Sequence, residues 1–392
     1  MNFYQNKKIL VTGGSGHLGS TLIHCLTGQM QVDPKMIRVF YLANSPVGAL
    51  SDIPGLEFFP GNILNAQEVE AACQGIDLVF HMVGSTTFDT RQKKIQWLIN
   101  VEGTRNVLEA CRKSTTIQKL CYTSTVNTLA VPNPVGSIGN FETSNPYTNT
   151  PSSHSFHSAN ETLKFIEDVH TNKIADWEKR IGIGYHDSKL AAQELVNDYV
   201  RRYHLNIVSI LPGTMFGPYD HLIGNGMYVL SLYRNQMPAV LTGGLPLAHI
   251  MDVAEGHLLA MEKAKPGTQY ILSGQPEDNR YLKDMAAIIV DVLKKKFPTK
   301  KFRAPGIVIP AWLGFTAGFF SEQYAKLFNK PMLLSTIAIR AGIYPLFYSS
   351  ENAIHDLGYQ PKRNFRQAVE DMVDYYEKEG LLDTEGRFID RR

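Results

Sequence analysis

Tyr185 and Lys189 have the residue types and the spacing of a proton-transfer pair. They stand four positions apart at the start of a strongly periodic segment, so on a helix both side chains project from one face. An ammonium beside a phenol favours the phenolate and lowers the pKa of the tyrosine from its ordinary value of about 10. We therefore expect Tyr185 to exchange a proton with a substrate oxygen near neutral pH.

A run of three hydroxyl side chains supplies a partner for this tyrosine. Thr123, Ser124 and Thr125 end the apolar segment 119–123 (KLCYT), which we predict to be a strand. Ligands of doubly wound α/β folds bind at the carboxyl ends of such strands. A hydroxyl at this position is placed to hold the carbonyl or alcohol oxygen that Tyr185 protonates.

A glycine pattern near the start of the chain indicates a dinucleotide. Gly13, Gly16 and Gly19 in TGGSGHLG follow a predicted strand at 7–11 and open an amphipathic helix. In that context the first glycine makes the turn, the second lets the backbone approach a pyrophosphate, and the third packs the helix on the strand. The phosphates would then lie at the helix N-terminus, where N–H groups and the helix dipole favour an anion.

The end of the second predicted strand bears on which dinucleotide binds. Ala43, Asn44 and Ser45 stand where NAD-binding proteins carry an acidic residue for the ribose hydroxyls. Here no carboxylate repels a 2′-phosphate, and Asn44 and Ser45 can donate hydrogen bonds to one. The sequence therefore favours NADP(H), with NAD(H) as the alternative. We expect Arg38 to lie before this strand and near the site.

The elements around these residues predict an α/β fold. Strands and helices alternate about five times in the first 215 residues, and each strand is an almost continuous apolar run. This pattern is typical of a Rossmann-type doubly wound parallel sheet with helices on both faces. We predict a dinucleotide-binding domain at 1–215, followed by a smaller, mostly helical substrate domain at 216–392, parts of which return to the first domain.

Composition excludes several classes of protein. The 392 residues contain 39 Lys and Arg against 37 Asp and Glu, a formal net charge of +2. This balance argues against a dedicated binder of nucleic acid or of anionic membranes. The four cysteines form no CxxC pair, and His154 and His157 lack partners at ligand spacing. We therefore expect a cytoplasmic enzyme with reduced thiols and no metal site.

Two segments are expected to shape the substrate pocket. Residues 306–320 (GIVIPAWLGFTAGFF) are too few to span a bilayer and contain Pro310, so we interpret them as a buried or pocket-lining helix, with contact to a membrane or lipid substrate as the alternative. The long polar insertion at 132–180 is interpreted as a lid, or else as a surface elaboration or dimer contact. The polar start of the chain, which leads directly into a strand, predicts no signal peptide or integral membrane segment.

Taken together, these patterns resemble the extended short-chain dehydrogenase/reductase family, with its NAD(P)-dependent epimerases and dehydratases, dihydroflavonol reductases and 3β-hydroxysteroid dehydrogenases. The resemblance covers nearly the whole chain. The matching segments are TGGSGHLG at 12–19, Gly61-Asn62-Ile63, HMVG at 81–84, Asn100 in NVEGT, YTST at 122–125, Tyr185-His-Asp-Ser-Lys189 and LPGTMFGP at 211–218.

The resemblance implies a role for each matched residue. Thr125 would orient the substrate oxygen, with Ser124 as the substitute, and Tyr185 would be the acid/base. Lys189 would bind the nicotinamide ribose and tune Tyr185. The cofactor-binding residues implied are Gly13, Gly16, His17, Leu18, Gly19, Asn44, Ser45, Asn62, Ile63, Val83, Asn100, Tyr185, Lys189 and Pro212.

Departures from the family pattern narrow the expected reaction. Val126 and Asn127 stand where dehydratases carry Asp-Glu, and Leu211 replaces the arginine of many nucleotide-sugar enzymes. The resemblance thus implies an NAD(P)H-dependent oxidoreductase that interconverts a ketone and a secondary alcohol on a bulky, hydrophobic substrate. The alternative is a sugar-nucleotide epimerase with tightly bound NAD. Relatives often pair through the helix that carries the tyrosine, so a homodimer is also expected.

Overall fold

The computed structural model describes residues 2–87, 89–129, 184–328, 335–343 and 345–382. The segment 132–180, for which the sequence predicts a lid, lies outside these residues. The described strands are β1 Ile9–Thr12, β2 Ile37–Tyr41, β3 Glu57–Pro60, β4 Leu78–His81, β5 Lys119–Thr123, β6 Ile207–Pro212, β7 Thr214–Phe216, β8 Ala239–Val240, β9 Gly244–His249, β10 Gln269–Leu272, β11 Asn279–Tyr281 and β12 Ile307–Val308.

Twelve helices are described between and after these strands. Short 3₁₀ and π turns extend several of them, for example at Cys25–Gln29 directly after the first helix. The helices are α1 His17–His24, α2 Ala66–Cys73, α3 Lys93–Trp97, α4 Gly103–Lys113, α5 Gly184–Tyr203, α6 Met227–Tyr233, α7 Ile250–Lys263, α8 Leu282–Lys296, α9 Ala311–Phe328, α10 Thr336–Gly342, α11 Glu351–Leu357 and α12 Phe365–Lys378.

Seven strands form one parallel sheet in the order β3-β2-β1-β4-β5-β6-β10. Strands β1, β4, β5 and β6 are buried along their whole length, which explains their continuous apolar runs. Strand β3 is different, because it lies at the edge and alternates between half-buried and exposed residues. The sequence pattern missed this strand for that reason. The predicted Rossmann-type doubly wound sheet is confirmed.

Helices cover both faces of this sheet. On one face Leu22 of α1 and Leu258 of α7 belong to the same buried cluster as Val11 of β1. On the other face Val107 of α4 and Val196 of α5 share a cluster with residues of β4 and β5. Two covered faces make each central strand a buried core element.

The chain after residue 215 contributes to the large sheet as well as to a separate core. Strand β10 pairs in parallel with β6, with Gln269 beside Ser209. A second buried cluster joins α6, α8 and α12. Helix α8 spans Leu282–Lys296, and strand β9 ends at His249, directly before α7 begins at Ile250. The domain limits 1–215 and 216–392 stay a prediction.

Helix α9 is where the fold departs most from expectation. The sequence predicts a buried or pocket-lining helix at 306–320, but the buried residues of α9 are Gly314, Gly318, Glu322 and Ala325. The large apolar side chains face outward, with Trp312 69% exposed. The buried interpretation is therefore wrong for this helix. No helix in the described ranges combines the length and apolar character needed to cross a membrane.

Candidate active site

The glycine turn between β1 and α1 has the backbone geometry of a phosphate cradle. Gly13 has φ +70°, and a Cβ there would lie 3.0 Å from the backbone nitrogen of Val83. A Cβ on Gly19 would lie 2.2 Å from the carbonyl oxygen of Gly13, so only glycine lets the helix pack this closely. Gly16 is the N-cap of α1 and provides no side-chain hydrogen bond, so the first N–H groups of the helix can bind an anionic ligand.

The two residues that follow Gly16 face the protein with their side chains. The imidazole Nε2 of His17 lies 2.9 Å from the carbonyl oxygen of Pro218, and burial lowers its pKa. Asp220 lies behind it, 3.8 Å from Nδ1. Leu18 is buried. If His17 and Leu18 contact a cofactor as predicted, they do so through their backbone N–H groups at the start of α1.

The loop after β2 keeps the features that favoured NADP(H). Asn44 is exposed, and the backbone N–H of Ser45 donates to the carbonyl of Leu42 at 2.7 Å. The expectation for Arg38 is wrong, because it lies within β2 and its guanidinium binds Glu57 at 2.8 Å. This arginine is committed to a structural ion pair and is not placed to bind a 2′-phosphate.

Asn62 and Ile63, two of the predicted cofactor-binding residues, lie just after β3. The side-chain oxygen of Asn62 accepts a hydrogen bond from the backbone of Leu64 at 2.9 Å, so the amide closes its own turn. The carbonyl of Ile63 accepts from Asn106 at 2.9 Å, and its side chain packs where a Cβ on Gly103 would be 3.0 Å away. In the structure, the contacts of Ile63 therefore connect the segment after β3 to helix α4.

The three hydroxyls at the end of β5 have different surroundings. Thr123 turns inward, where its hydroxyl lies 3.1 Å from Nε2 of His257. Nδ1 of that histidine donates to the carbonyl of Val253 at 2.8 Å, and burial lowers its pKa to about 4. The imidazole is therefore neutral and accepts from Thr123. This hydroxyl is occupied inside the protein and is not available to a substrate.

Thr125 is the hydroxyl that meets the tyrosine. Its hydroxyl lowers the pKa of the Tyr185 phenol, and its Oγ1 accepts from the backbone N–H of Asn127 at 3.3 Å. Since that oxygen accepts from Asn127, its own proton is free to point towards the phenol. Ser124 is also buried, and its Oγ has no hydrogen-bond partner within the described ranges. The structure thus brings Thr125 and Tyr185 together, with Ser124 beside them in the chain.

Burial sets the protonation of Tyr185 and Lys189. Desolvation raises the pKa of Tyr185, an effect that the hydrogen bond from Thr125 partly offsets. Desolvation also lowers the pKa of Lys189 to about 8, and its Nζ donates to the carbonyl of Thr123 at 2.9 Å. The expected lowering of the tyrosine pKa is therefore wrong for this structure. The ammonium of Lys189 donates to a backbone carbonyl, and burial disfavours the charged phenolate of Tyr185.

A network of amides holds the loop after β4 against helix α5. The side chain of Asn100 accepts from the backbone N–H of Ser85 at 2.8 Å and donates to the hydroxyl of Ser188 at 2.9 Å. Gln96 donates to the carbonyl of Thr87 at 2.9 Å. These bonds fix the loop that includes Gly84, where a Cβ would lie 3.2 Å from Nζ of Lys189.

Two structural residues of the site were not singled out from the sequence. Ser188 bridges Asn100 and the carbonyl of Tyr185, and His257 holds Thr123. Ser188 lies within the YxxSK pattern, so a signal for it was present. No local pattern marks His257, because it comes from a helix 134 residues away in the chain. Pro212, the last cofactor residue predicted, ends β6 and is buried.

The geometry fits a dinucleotide and a proton-transfer centre side by side. The space that a Cβ would fill at Gly13 or Gly19 suits a pyrophosphate, and Nζ of Lys189 lies nearby, beside Gly84 and the carboxyl end of β5. At this edge of the sheet the described residues include one buried, protonated phenol, the hydroxyl of Thr125 that lowers its pKa, and one ammonium. This set of groups matches the extended short-chain dehydrogenase/reductase class.

Comparison with solved structures agrees with this class at the level of fold. The crystal structure of gox2253 has a TM-score of 0.72 and 24% identity, covering 96% of this chain and 100% of that chain. The NAD complex of UDP-glucose 4-epimerase from Thermus thermophilus has a TM-score of 0.61 and 17% identity, covering 94% of this chain and 98% of that chain.

Comparison with sequences shows the family. A model of the 3-beta hydroxysteroid dehydrogenase/isomerase family matches residues 10–276, so the chain belongs to this family of NAD(P)-dependent enzymes. A putative dihydroflavonol 4-reductase from Synechocystis sp. is 26% identical over 380 residues, 96% of each chain. A 3-beta-hydroxysteroid dehydrogenase from Mycolicibacterium neoaurum is 23% identical over 384 residues, 94% of this chain and 91% of its own.

Proposed function

We propose that this enzyme reduces a ketone on a bulky, hydrophobic substrate to a secondary alcohol with NADPH, and catalyses the reverse reaction when alcohol and NADP⁺ are supplied. The observation that carries the proposal is the hydrogen bond from Nζ of Lys189 to the carbonyl of Thr123, at 2.9 Å. It holds the helix of Tyr185 and Lys189 against the carboxyl end of β5, where Thr125 and Tyr185 are both buried and Thr125 lowers the pKa of the phenol.

The residues of this chain supply the proton and hold the reacting oxygen. Burial keeps Tyr185 protonated near neutral pH, so it is ready to give its proton to a carbonyl oxygen as that oxygen gains negative charge. Thr125 donates a hydrogen bond to the same oxygen, and Lys189 adds a positive charge within a low-dielectric site. A reduced nicotinamide, when bound, would supply the hydride for the carbonyl carbon.

Residues at the glycine turn and at the carboxyl ends of the neighbouring central strands would hold the cofactor. The backbone from Gly13 to Gly19 would take the pyrophosphate, and Lys189 would take the nicotinamide ribose. The choice of NADP(H) rests on Asn44 and Ser45, which carry no charge that repels a 2′-phosphate. Their hydrogen-bonding groups supply a polar site for that phosphate.

Apolar surroundings of Thr125 support a hydrophobic substrate. Directly after it, Val126 and Leu129 form one buried cluster with Leu211, Ile271 and Leu346. The relatives include an anthocyanidin reductase from Arabidopsis thaliana and the 3-beta-hydroxysteroid dehydrogenase from Mycolicibacterium neoaurum. Leu211 also stands where many nucleotide-sugar enzymes have an arginine, whose positive charge would attract a sugar diphosphate.

The proposal is tested by identifying the nucleotide and following the absorbance of its reduced form. Purified protein is mixed with NADPH or NADH and a panel of steroid, flavonoid and simple aryl ketones. We expect NADPH consumption with polycyclic ketones and little with NADH. Inactivity with all ketones and both cofactors, in protein that binds NADPH, would overturn it.

A sugar-nucleotide epimerase with tightly bound NAD is the second candidate. It is favoured by structural neighbours such as the UDP-glucuronic acid 4-epimerase from Bacillus cereus, which has a TM-score of 0.63. A panel of UDP-sugars separates the two candidates, because an epimerase converts the sugar without net consumption of cofactor.

The proposed enzyme is a homodimer paired through α5, which light scattering of the purified protein would check.

A further inference from the structure

We propose that binding of the dinucleotide is coupled to protonation of His17, which then carries a positive charge at the start of helix α1. The proton comes from the solvent, and the imidazolium is stabilised by two anions, the pyrophosphate and the carboxylate of Asp220. This inference rests on the proposed binding of a nicotinamide dinucleotide at the glycine turn. It concerns a side chain that the proposed reaction does not use.

Hydrogen bonding fixes which nitrogen of the neutral imidazole carries the proton. Nε2 of His17 lies 2.9 Å from the carbonyl oxygen of Pro218, which can only accept, so Nε2 donates. Nδ1 of the neutral ring therefore has a lone pair, and it lies 3.8 Å from a carboxylate oxygen of Asp220. Two acceptors thus flank a ring that has one N–H group. A second proton, on Nδ1, would give each acceptor a donor.

The carboxylate of Asp220 is buried and held by three donors. Its oxygens accept from the backbone N–H groups of Gly224 and Gly226 at 2.8 and 2.9 Å, and from the hydroxyl of Tyr376 at 2.9 Å. None of these donors is a cation. Among the described residues, His17 is the one basic group within ion-pair distance of Asp220. The carboxylate therefore gains a charged partner when His17 is protonated.

The loop at 217–226, which carries Asp220, is held in a strained conformation. Tyr219 has φ +70° and Ile223 has φ +54°, values in the left-handed region that side chains rarely adopt. The ring of Tyr219 stacks on that of His24 in α1, with centroids 4.1 Å apart. Strain of this kind persists where the surrounding structure enforces it. The fold itself therefore holds Asp220 beside His17.

Burial and the helix keep His17 neutral while no anion is bound. Its side chain is 15% exposed, and burial lowers its pKa from the ordinary value of 6.5. The attraction of Asp220 opposes this effect without overcoming it. His17 is also the first residue of α1, where the helix dipole disfavours a cation. The imidazole is therefore neutral near neutral pH.

Few other charges face His17. His221, from the same loop, is the second titratable group beside the ring, and it opposes protonation of His17. Asp52 lies at the other end of α1, 3.9 Å from Nε2 of His24. Helix α7 also packs on α1, and its acidic residues bind a cation of their own, in the ion pairs of Arg363 with Asp252 and Glu255.

An anion at the glycine turn would reverse the balance at His17. It brings negative charge to the first turn of α1, where the imidazolium otherwise meets the positive end of the helix dipole. Nearby negative charge raises the pKa of a histidine, so the bound state should take up a proton. The dissociation constant should then rise with pH between the pKa of His17 in the free state and its higher pKa in the bound state.

Isothermal titration calorimetry of the full chain with NADPH counts the coupled protons. The observed enthalpy is measured at about pH 7 in PIPES, HEPES and Tris, and its slope against the ionisation enthalpy of the buffer gives the proton uptake. We expect the natural chain to take up about half a proton more per dinucleotide than His17→Gln. The Gln amide can still donate to the carbonyl of Pro218, and titration of the 2′-phosphate is common to both chains.

Two further variants identify the groups involved. Asp220→Asn keeps an acceptor for Gly224 and Gly226 but removes the charge, so its proton uptake should fall to about the level of His17→Gln. The matched control is His24→Gln, at the other histidine of α1, which should keep the proton uptake of the natural chain.

A measurement on the natural chain alone needs no variant to fold. The dissociation constant for NADPH should rise about threefold from about pH 7 to about pH 8.5, above the range in which the 2′-phosphate titrates. A constant value would overturn the inference. Unchanged thermal unfolding of His17→Gln would exclude misfolding as the reason for its lower proton uptake.

The failure of this inference is distinguishable from failure of the proposed function. Equal proton uptake by the natural chain and His17→Gln, in protein that binds NADPH and reduces ketones, would overturn the inference alone. Uptake that His24→Gln loses as well would also overturn it, because the proton would then not belong to His17. A natural chain that binds neither NADPH nor NADH would overturn both.

Discussion

The candidate active site and helix α9 depart from the ordinary rule of burial in opposite directions. At the site, polar groups such as Thr123, Asn100 and Lys189 are buried, and each is paired with a partner of the protein. On α9, large apolar groups such as Trp312 and Phe320 are exposed.

The difference teaches what each region is for. Most buried polar groups are hydrogen-bonded, and at the site the bonds of Thr123, Asn100 and Lys189 fix the geometry that proton transfer needs. Exposed apolar groups are unfavourable in water, and the free energy falls when a second phase or molecule covers them. The first region is therefore built to be rigid and the second to be covered.

Tyr185→Phe should have the largest effect on the polar region. It removes the proton donor and keeps the ring, so kcat/KM for the accepted ketone should fall about a thousandfold. The control is Tyr203→Phe, an exposed tyrosine at the end of the same helix. Full activity of the Tyr185 variant in steady-state assays would remove the proposed mechanism.

Lys189→Met should change how stability depends on pH. Burial lowers the pKa of Lys189 from 10.5 to about 8, so between these values the unfolded chain binds a proton that the folded chain lacks. Stability of the natural chain should therefore rise with pH across this range, by up to about 3 kcal/mol relative to the Met variant.

Urea unfolding of both chains at either end of the range measures this difference, and all other titrating groups are shared. A constant difference in the free energy of unfolding would show that the ammonium is not desolvated in the folded chain.

Thr125→Val and Thr123→Val form a matched pair within the polar region. Thr125 hydrogen-bonds to Tyr185, whereas Thr123 is occupied by His257. We expect kcat/KM to fall about thirtyfold for Thr125→Val, the loss of one hydrogen bond to a charged oxygen, and to change less than about threefold for Thr123→Val. Equal losses would mean that the two hydroxyls do not have separate roles.

Gly318→Val and Phe320→Gln should give the smallest effects and locate the packed side of α9. A side chain at Gly318 would enter the contact with Ile339, so the free energy of unfolding should fall by about 1–2 kcal/mol. Phe320 is 65% exposed, so replacing it should change that free energy by less than about 0.5 kcal/mol. Thermal unfolding compares them, and the reverse order would contradict the orientation of α9.

Much of the fold could be predicted because its signals are local. The apolar runs of β1, β4, β5 and β6 and the periodicity of α8 are visible in the sequence, since each element carries its own burial pattern. The edge strand β3 was missed, because its alternating exposure leaves no continuous apolar run.

The sequence by itself determined the glycine turn at Gly13, the placing of Tyr185 and Lys189 on one helix, and the hydroxyl run beside them. These depend on backbone conformation and on helical spacing, which neighbouring residues set. Tertiary structure alone decided that Thr125 meets Tyr185, that burial raises the pKa of this phenol, and that α9 turns its aromatic residues outward. Each of these depends on what packs against the residue, and the packing partner comes from a distant part of the chain.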